Sequence, residues 1–277
     1  MIIILDACTI INLLLIDEDD YLLSCLDCLN KKITESVFNE VRDNLKYIQK
    51  QDNEVLKLDN EYEVERKLGI VRAWQEMTIK VNGNDENFEN VFNYKTKKNG
   101  EFYSSILALN VKLSEGTKVV FYTDDYVAKE HFSDYYNWHQ IGYIEDTVEL
   151  MVFMYTIFKD FRDSRFERFL SKIRSRYVSQ ITDFIKILRS CQNTLPKTKI
   201  RKINSILTQL ITALEELDFK NVEKLRDDLL SEDKEYFNKT FKKYKDVFVS
   251  QNERGQIIEK VKAVKIRFAS QKPYRMP

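Results

Sequence analysis

The sequence predicts an α/β domain followed by an all-α C-terminal domain, and three observations carry that prediction. Short apolar strand patterns recur, each leading into helical periodicity. The alternation of strand and helix continues as far as residue 158, which implies a parallel sheet with crossover helices. Beyond that point the helical pattern persists with almost no strand signal. The expected division is 1–158 and 159–277, and a chain of 277 residues that is 43% hydrophobic is long enough to bury two cores.

The first element is the β-branched run Ile2–Leu5, closed by Asp6 and followed by a helical pattern through Leu15. An uninterrupted apolar run is what a strand covered on both faces requires. Residues 31–34 (KKIT) form a short strand candidate leading into the helix ESVFNEVRDNLKYI. The segment between about Asp52 and Gly100 is mostly helical and polar, ending in an Asn-, Gly- and Lys-rich stretch that predicts a mobile loop. A helix then opens at Gly100 (GEFYSSILALN). The strand TKVVFYTDD (117–125) precedes a short helix near Val127–Phe132, and IGYIED (141–146) precedes a long apolar helix from Thr147 toward Phe158. From Lys159 onward the pattern predicts four or five helices, broken at 193–197, 218–221, 231–234 and 252–255.

Charge separates the two parts. Residues 1–150 hold 16 Lys and Arg against 28 Asp and Glu, a net of −12, so the rest of this formally neutral chain carries +12. The first half therefore suits cations, and the second suits polyanions such as nucleic acid or the first half itself. Four cysteines without an export signal imply reduced thiols and a cytoplasmic protein. The apolar start is interrupted by Asp6 and is too short to span a membrane. Cys25 and Cys28 have a C-x-x-C spacing but lie in an amphipathic helix pattern without a second ligand pair, which predicts core packing. Neither His131 nor His139 has a catalytic partner in sequence.

In a parallel sheet the carboxyl ends of the strands converge on one edge, where ligands bind. Asp6, Asp124 and Asp125 follow strands there, Glu40 lies one to two turns into the helix after KKIT, and Glu101 opens the helix after Gly100. Carboxylates gathered in one pocket repel each other unless a cation neutralises them. Oxygen donors without nitrogen or sulfur select Mg²⁺ or Mn²⁺, and a pair of such ions about 4 Å apart can drive phosphodiester hydrolysis. Asp6, Glu101, Asp124 and Asp125 are the expected ligands, with Thr9 and Thr123 behind them. Either Asp124 or Asp125 can face the metal.

The segments IIILDACTIINLL, ITESVFNEV, NGEFYSSILAL and VVFYTDDYVAKEHF, in that order, resemble the PIN-domain ribonucleases over roughly residues 1–155. The resemblance implies an α/β/α parallel-sheet sandwich. It places the family's acids at Asp6, Glu40, Glu101 and within Thr123–Asp125. It also implies Mg²⁺- or Mn²⁺-dependent cleavage of single-stranded or loop RNA. Many relatives of that kind are toxins, so an antitoxin or defence-complex partner, or a homodimer, joins the expectations. Lys95, Lys97 and Lys98 precede Glu101 and are placed to grip substrate. The stretch 161–180 interleaves Arg165, Arg168, Lys172, Arg174 and Arg176 with aromatics, which suits RNA or the packing of an amphipathic helix. Two rival functions differ in class: an inactive scaffold on the same fold, and a haloacid-dehalogenase-type phosphatase, whose second Asp is replaced here by Cys8.

Overall fold

Ile2–Leu5 forms β1, and all four side chains are buried, as a strand with both faces covered demands. The computed structural model describes residues 1–50, 61–74, 99–194, 200–232, 237 and 251–271. Its sheet has the order β2-β1-β3-β4, with β2 at Lys31–Lys32, β3 at Val119–Tyr122 and β4 at Gly142–Glu145. Every neighbouring pair is parallel, and β1 meets β3 in the register Ile2 to Val119 through Leu5 to Tyr122.

Helices connect these strands. α1 (Ala7–Ile16), α2 (Tyr21–Asp27), α3 (Glu35–Lys50) and α4 (Glu61–Ala73) come before α5 (Gly100–Glu115). Then α6 (Tyr126–Trp138) joins β3 to β4, and α7 (Thr147–Ile157) follows β4. One face of the sheet, Ile2, Ile4, Val119 and Phe121, packs with Phe102, Ile106, Phe132 and Tyr136 from α5 and α6. The alternate residues Ile3, Leu5, Val120 and Tyr122 are also buried, so both faces are covered. The carbonyl end of α1 is closed by a buried cation: Lys67 of α4 donates to the backbone oxygens of Leu14 at 2.9 Å and Asp17 at 2.6 Å. That placement satisfies orphan carbonyls and complements the helix dipole.

The chain divides into two compact units, one running from Met1 to Phe169 and the other from Leu170 to Ser270. The division falls inside α8 (Asp163–Thr194), later than the expected residue 158. The reason is aromatic: Phe161, Phe166 and Phe169 belong to a ring cluster with Tyr155 and Tyr21, which holds the start of α8 in the first unit. The second unit contains the rest of α8 with α9 (Ile200–Glu215), α10 (Phe219–Glu232) and all but the last residue of α11 (Gln251–Gln271).

Three local expectations need adjusting. The helix after β3 runs to Trp138 rather than stopping near Phe132, because Tyr136 is buried in the sheet core. The break expected at 252–255 is absent, and α11 runs through it. Gly255 is used for close approach instead: a Cβ there would stand 2.4 Å from the Phe219 ring. Cys25 is buried within α2 and Cys28, at the C-cap of that helix, is exposed, both as free thiols. The loop expected before Gly100 lies outside the described residues up to residue 98. No described helix is long and apolar enough to cross a membrane.

Candidate functional site

Where β1 ends, the Asp6 amide still donates to the Tyr122 backbone oxygen at 2.9 Å and Asp6 becomes the N-cap of α1, with the residue almost fully buried at 1% exposure. It makes no capping bond to its own helix. Instead, oxygen Oδ2 accepts from the Cys8 thiol at 2.9 Å and from the Thr123 hydroxyl at 3.0 Å. The other oxygen, Oδ1, is buried and has no hydrogen-bond partner. Burial raises the Asp6 pKa, the bonds from Cys8, the Ala7 amide and Thr123 pull it back, and the charge of Asp125 pushes it up again.

Glu101 arrives on the first turn of α5. Asn99 caps that helix by accepting from the Phe102 amide at 3.3 Å. Glu101 is 8% exposed, and its Oε2 is likewise buried without a partner. Its pKa is pushed up to about 8, first by burial and then by the charges of Asp6, Asp125 and Glu40. These couplings define the set of acids that share one space: Asp6, Glu40, Glu101 and Asp125.

Gly100 shows how close they come. A Cβ at this position would sit 2.7 Å from Glu40 Oε2 and 3.3 Å from Asp6 Oδ1, so those two oxygens lie within about 6 Å of each other. Glycine makes room for both. Glu40 reaches the pocket from the half-buried side of α3.

The Asp124 and Asp125 pair separates cleanly. Asp125 caps α6 by accepting from the Ala128 amide at 3.0 Å, its own amide donates to Thr123 Oγ1 at 3.1 Å, and its charge acts on Asp6 and Glu101. Asp124 turns toward α7. Its Oδ1 accepts from the Thr147 amide at 2.8 Å, and Oδ2 accepts from the Thr147 hydroxyl at 2.6 Å and from the Asn12 side chain. Its amide donates to Cys8 Sγ at 3.1 Å. The Asp124 pKa is raised by burial first and by Asp146 next, while Thr147 and Asn12 oppose the rise. Cys8 is held as a thiol, its pKa driven well up by burial and by Asp6 and Asp124.

Other expected site residues fall elsewhere. Thr9 does not bond a carboxylate: it donates to the Tyr122 backbone oxygen at 3.1 Å, pinning α1 to β3. Arg165 and Arg168 both pair with Asp19, at 3.2 and 3.5 Å, and Arg165 also lies over the Tyr21 ring. Lys172, Arg174 and Arg176 lie in the second unit. Lys95, Lys97 and Lys98 are outside the described residues. Sequence reasoning missed Asn12 and Thr147, whose only signals were polar residues in otherwise apolar helix patterns.

The donors fit a hard divalent cation: all are carboxylate oxygens, and two buried ones lack any hydrogen-bond partner. Among the described residues no three His, Cys, Asp or Glu side chains are already drawn around one point as a ligand cage. An ion would have to draw them together. No family model matches the chain, no curated protein does, and no solved structure does.

Proposed function

We propose that the unit from Met1 to Phe169 is a Mg²⁺- or Mn²⁺-dependent endoribonuclease of the PIN type, hydrolysing phosphodiester bonds of RNA. The observation that carries this reading is the burial of two unpartnered carboxylate oxygens, Asp6 Oδ1 and Glu101 Oε2. Both are buried carboxylate oxygens with no hydrogen-bond partner, and they lie in one electrostatically coupled group beyond the ends of β1 and β3. Burying such groups costs several kcal/mol without a counter-charge. A cation at this point is what makes the arrangement tolerable. RNA as the substrate rests on the likeness of the four segments quoted above to PIN ribonucleases.

The residues then have distinct tasks. Asp6, Glu101 and Asp125 would hold the cation, and Glu40 adds negative charge beside Gly100. When bound, the cation supplies Lewis acidity toward a phosphate oxygen. Thr123 and Cys8 fix the rotation of the Asp6 carboxylate through Oδ2 and leave Oδ1 toward the pocket. Glu101 keeps its proton at neutral pH in the metal-free protein and must release it when a cation binds. Asp124 binds the start of α7 to α1 and thereby holds the loop that carries Asp125.

The test is to isolate RNA from cells expressing the wild-type chain or Asp6→Asn and to map new 5′ ends. New ends found only with the wild type support the reading. An identical pattern of ends from both chains overturns it.

A further inference from the structure

Building on the nuclease reading, we infer that Cys8 is a positioning residue of the acidic pocket: its thiol ties the Asp6 carboxylate to the Asp124–Asp125 segment, and that tie sets how tightly the pocket holds a divalent cation. β1 and β3 run side by side with Leu5 opposite Tyr122, so their carboxyl ends deliver Asp6 and residues 123–125 to the same edge. The backbone ladder carries on for one more bond, from the Asp6 amide to the Tyr122 oxygen at 2.9 Å. Beyond it, the side chains of Cys8 and Thr123 continue the join.

The two side chains make the same pair of bonds with different atoms. Cys8 Sγ donates to Asp6 Oδ2 at 2.9 Å and accepts from the Asp124 amide at 3.1 Å. Thr123 Oγ1 donates to the same oxygen at 3.0 Å and accepts from the Asp125 amide at 3.1 Å. A thiol or a hydroxyl carries one hydrogen. With both hydrogens directed at Asp6 Oδ2, the lone pairs of Sγ and Oγ1 receive the two consecutive amides, and the 3.4 Å approach of Sγ to Oγ1 closes the group. Asp6 Oδ1 is left buried without a hydrogen-bond partner. A residue that only fills space needs neither a donor nor an acceptor, and half-buried Cys8 uses both. Groups that steady a cation-binding carboxylate in this way typically weaken binding by about 10- to 100-fold when they are removed. Serine offers the same donor and acceptor on a shorter arm, and alanine offers neither.

The experiment is a calorimetric titration of the metal-free full chain with Mn²⁺ alone, repeated on Cys8→Ala and Cys8→Ser, with folding of each checked by circular dichroism. The expected result is Mn²⁺ affinity about tenfold weaker in Cys8→Ala and recovered in large part by Cys8→Ser. A loss below about threefold in Cys8→Ala overturns the inference, as does Cys8→Ser binding no better than Cys8→Ala. If Cys8→Ala does not fold, Cys8→Val, which fills the thiol's space without its hydrogen, takes its place in the comparison. Failure of both to fold assigns Cys8 to the fold alone and overturns the inference, and so does a wild type that binds no Mn²⁺. RNA cleavage by a wild type whose Mn²⁺ affinity is indifferent to Cys8→Ala sinks this inference and spares the nuclease reading. Mn²⁺ binding that weakens in Cys8→Ala and returns in Cys8→Ser, in a chain that cleaves no RNA, does the reverse.

Discussion

Replacing Glu101 with glutamine removes a buried acid whose ionisation the fold resists, so Glu101→Gln stabilises the metal-free protein increasingly as pH rises. The wild-type carboxyl titrates near 4.5 when unfolded and near 8 in the folded chain. Because the folded value is the higher one, its stability contribution is complete below about 4.5 and is lost as pH climbs through about 8. At pH 7 the unfolded group has ionised and the folded one has not, a gap of about 2.5 pKa units, or roughly 3 kcal/mol at about 1.4 kcal/mol per unit. Glutamine keeps the shape of the neutral acid and carries none of this loss. Urea unfolding in EDTA, run on both proteins across the range from pH 4 to 9, measures the difference. It should start near zero at the acid end and grow to about 3 kcal/mol by pH 7. Adding Mg²⁺ should then stabilise the wild type more than the variant, by mass action on the folded state. A difference that stays flat across this range refutes the claim that Glu101 is buried among repelling charges.

Further outcomes follow from the same geometry. Mn²⁺ affinity of the wild type should rise as pH climbs toward about 8, since binding displaces the Glu101 proton, and isothermal titration at several pH values checks it. Gly100→Ala should fold normally yet bind Mn²⁺ several-fold more weakly, because its new Cβ meets Glu40 Oε2 and Asp6 Oδ1; unchanged affinity would remove Gly100 from the site. Thr147→Ala takes away the hydroxyl donor to Asp124 and should cost about 1–3 kcal/mol in urea unfolding. Lys67→Met leaves the Leu14 and Asp17 carbonyls without their buried donor and should cost about 2–4 kcal/mol.

Much of the site was legible because it sits where one kind of residue interrupts another. Asp6 breaks an apolar strand-to-helix run, and Glu101 follows a glycine at a helix start, so both stand out without any knowledge of contacts. The choice between Asp124 and Asp125 was not legible. Both come after β3 has ended at Tyr122, so strand alternation no longer orients them. The decision belongs to Thr147, 23 residues beyond Asp124, and to Asn12 on the opposite strand's helix. Thr9 misled for a similar reason, since a buried hydroxyl one turn into α1 finds the Tyr122 carbonyl before it finds a carboxylate. In the second unit the Asn-Glu-Arg-Gly segment has the composition of a helix break, yet α11 continues through it, and its glycine serves the close approach of the Phe219 ring. The boundary between the units moved to Phe169 because aromatic packing against Tyr21 and Tyr155 outweighs the change in charge pattern.

The most direct measurement is cleavage of a labelled single-stranded RNA by the purified full chain, compared in Mn²⁺, in EDTA and with folded Asp6→Asn and Glu101→Gln. Cleavage by the wild type with Mn²⁺, and loss of at least about a hundredfold in the other cases, is the expected result. Cleavage that persists in EDTA or in Asp6→Asn would contradict the assignment of this acidic pocket as the hydrolytic centre.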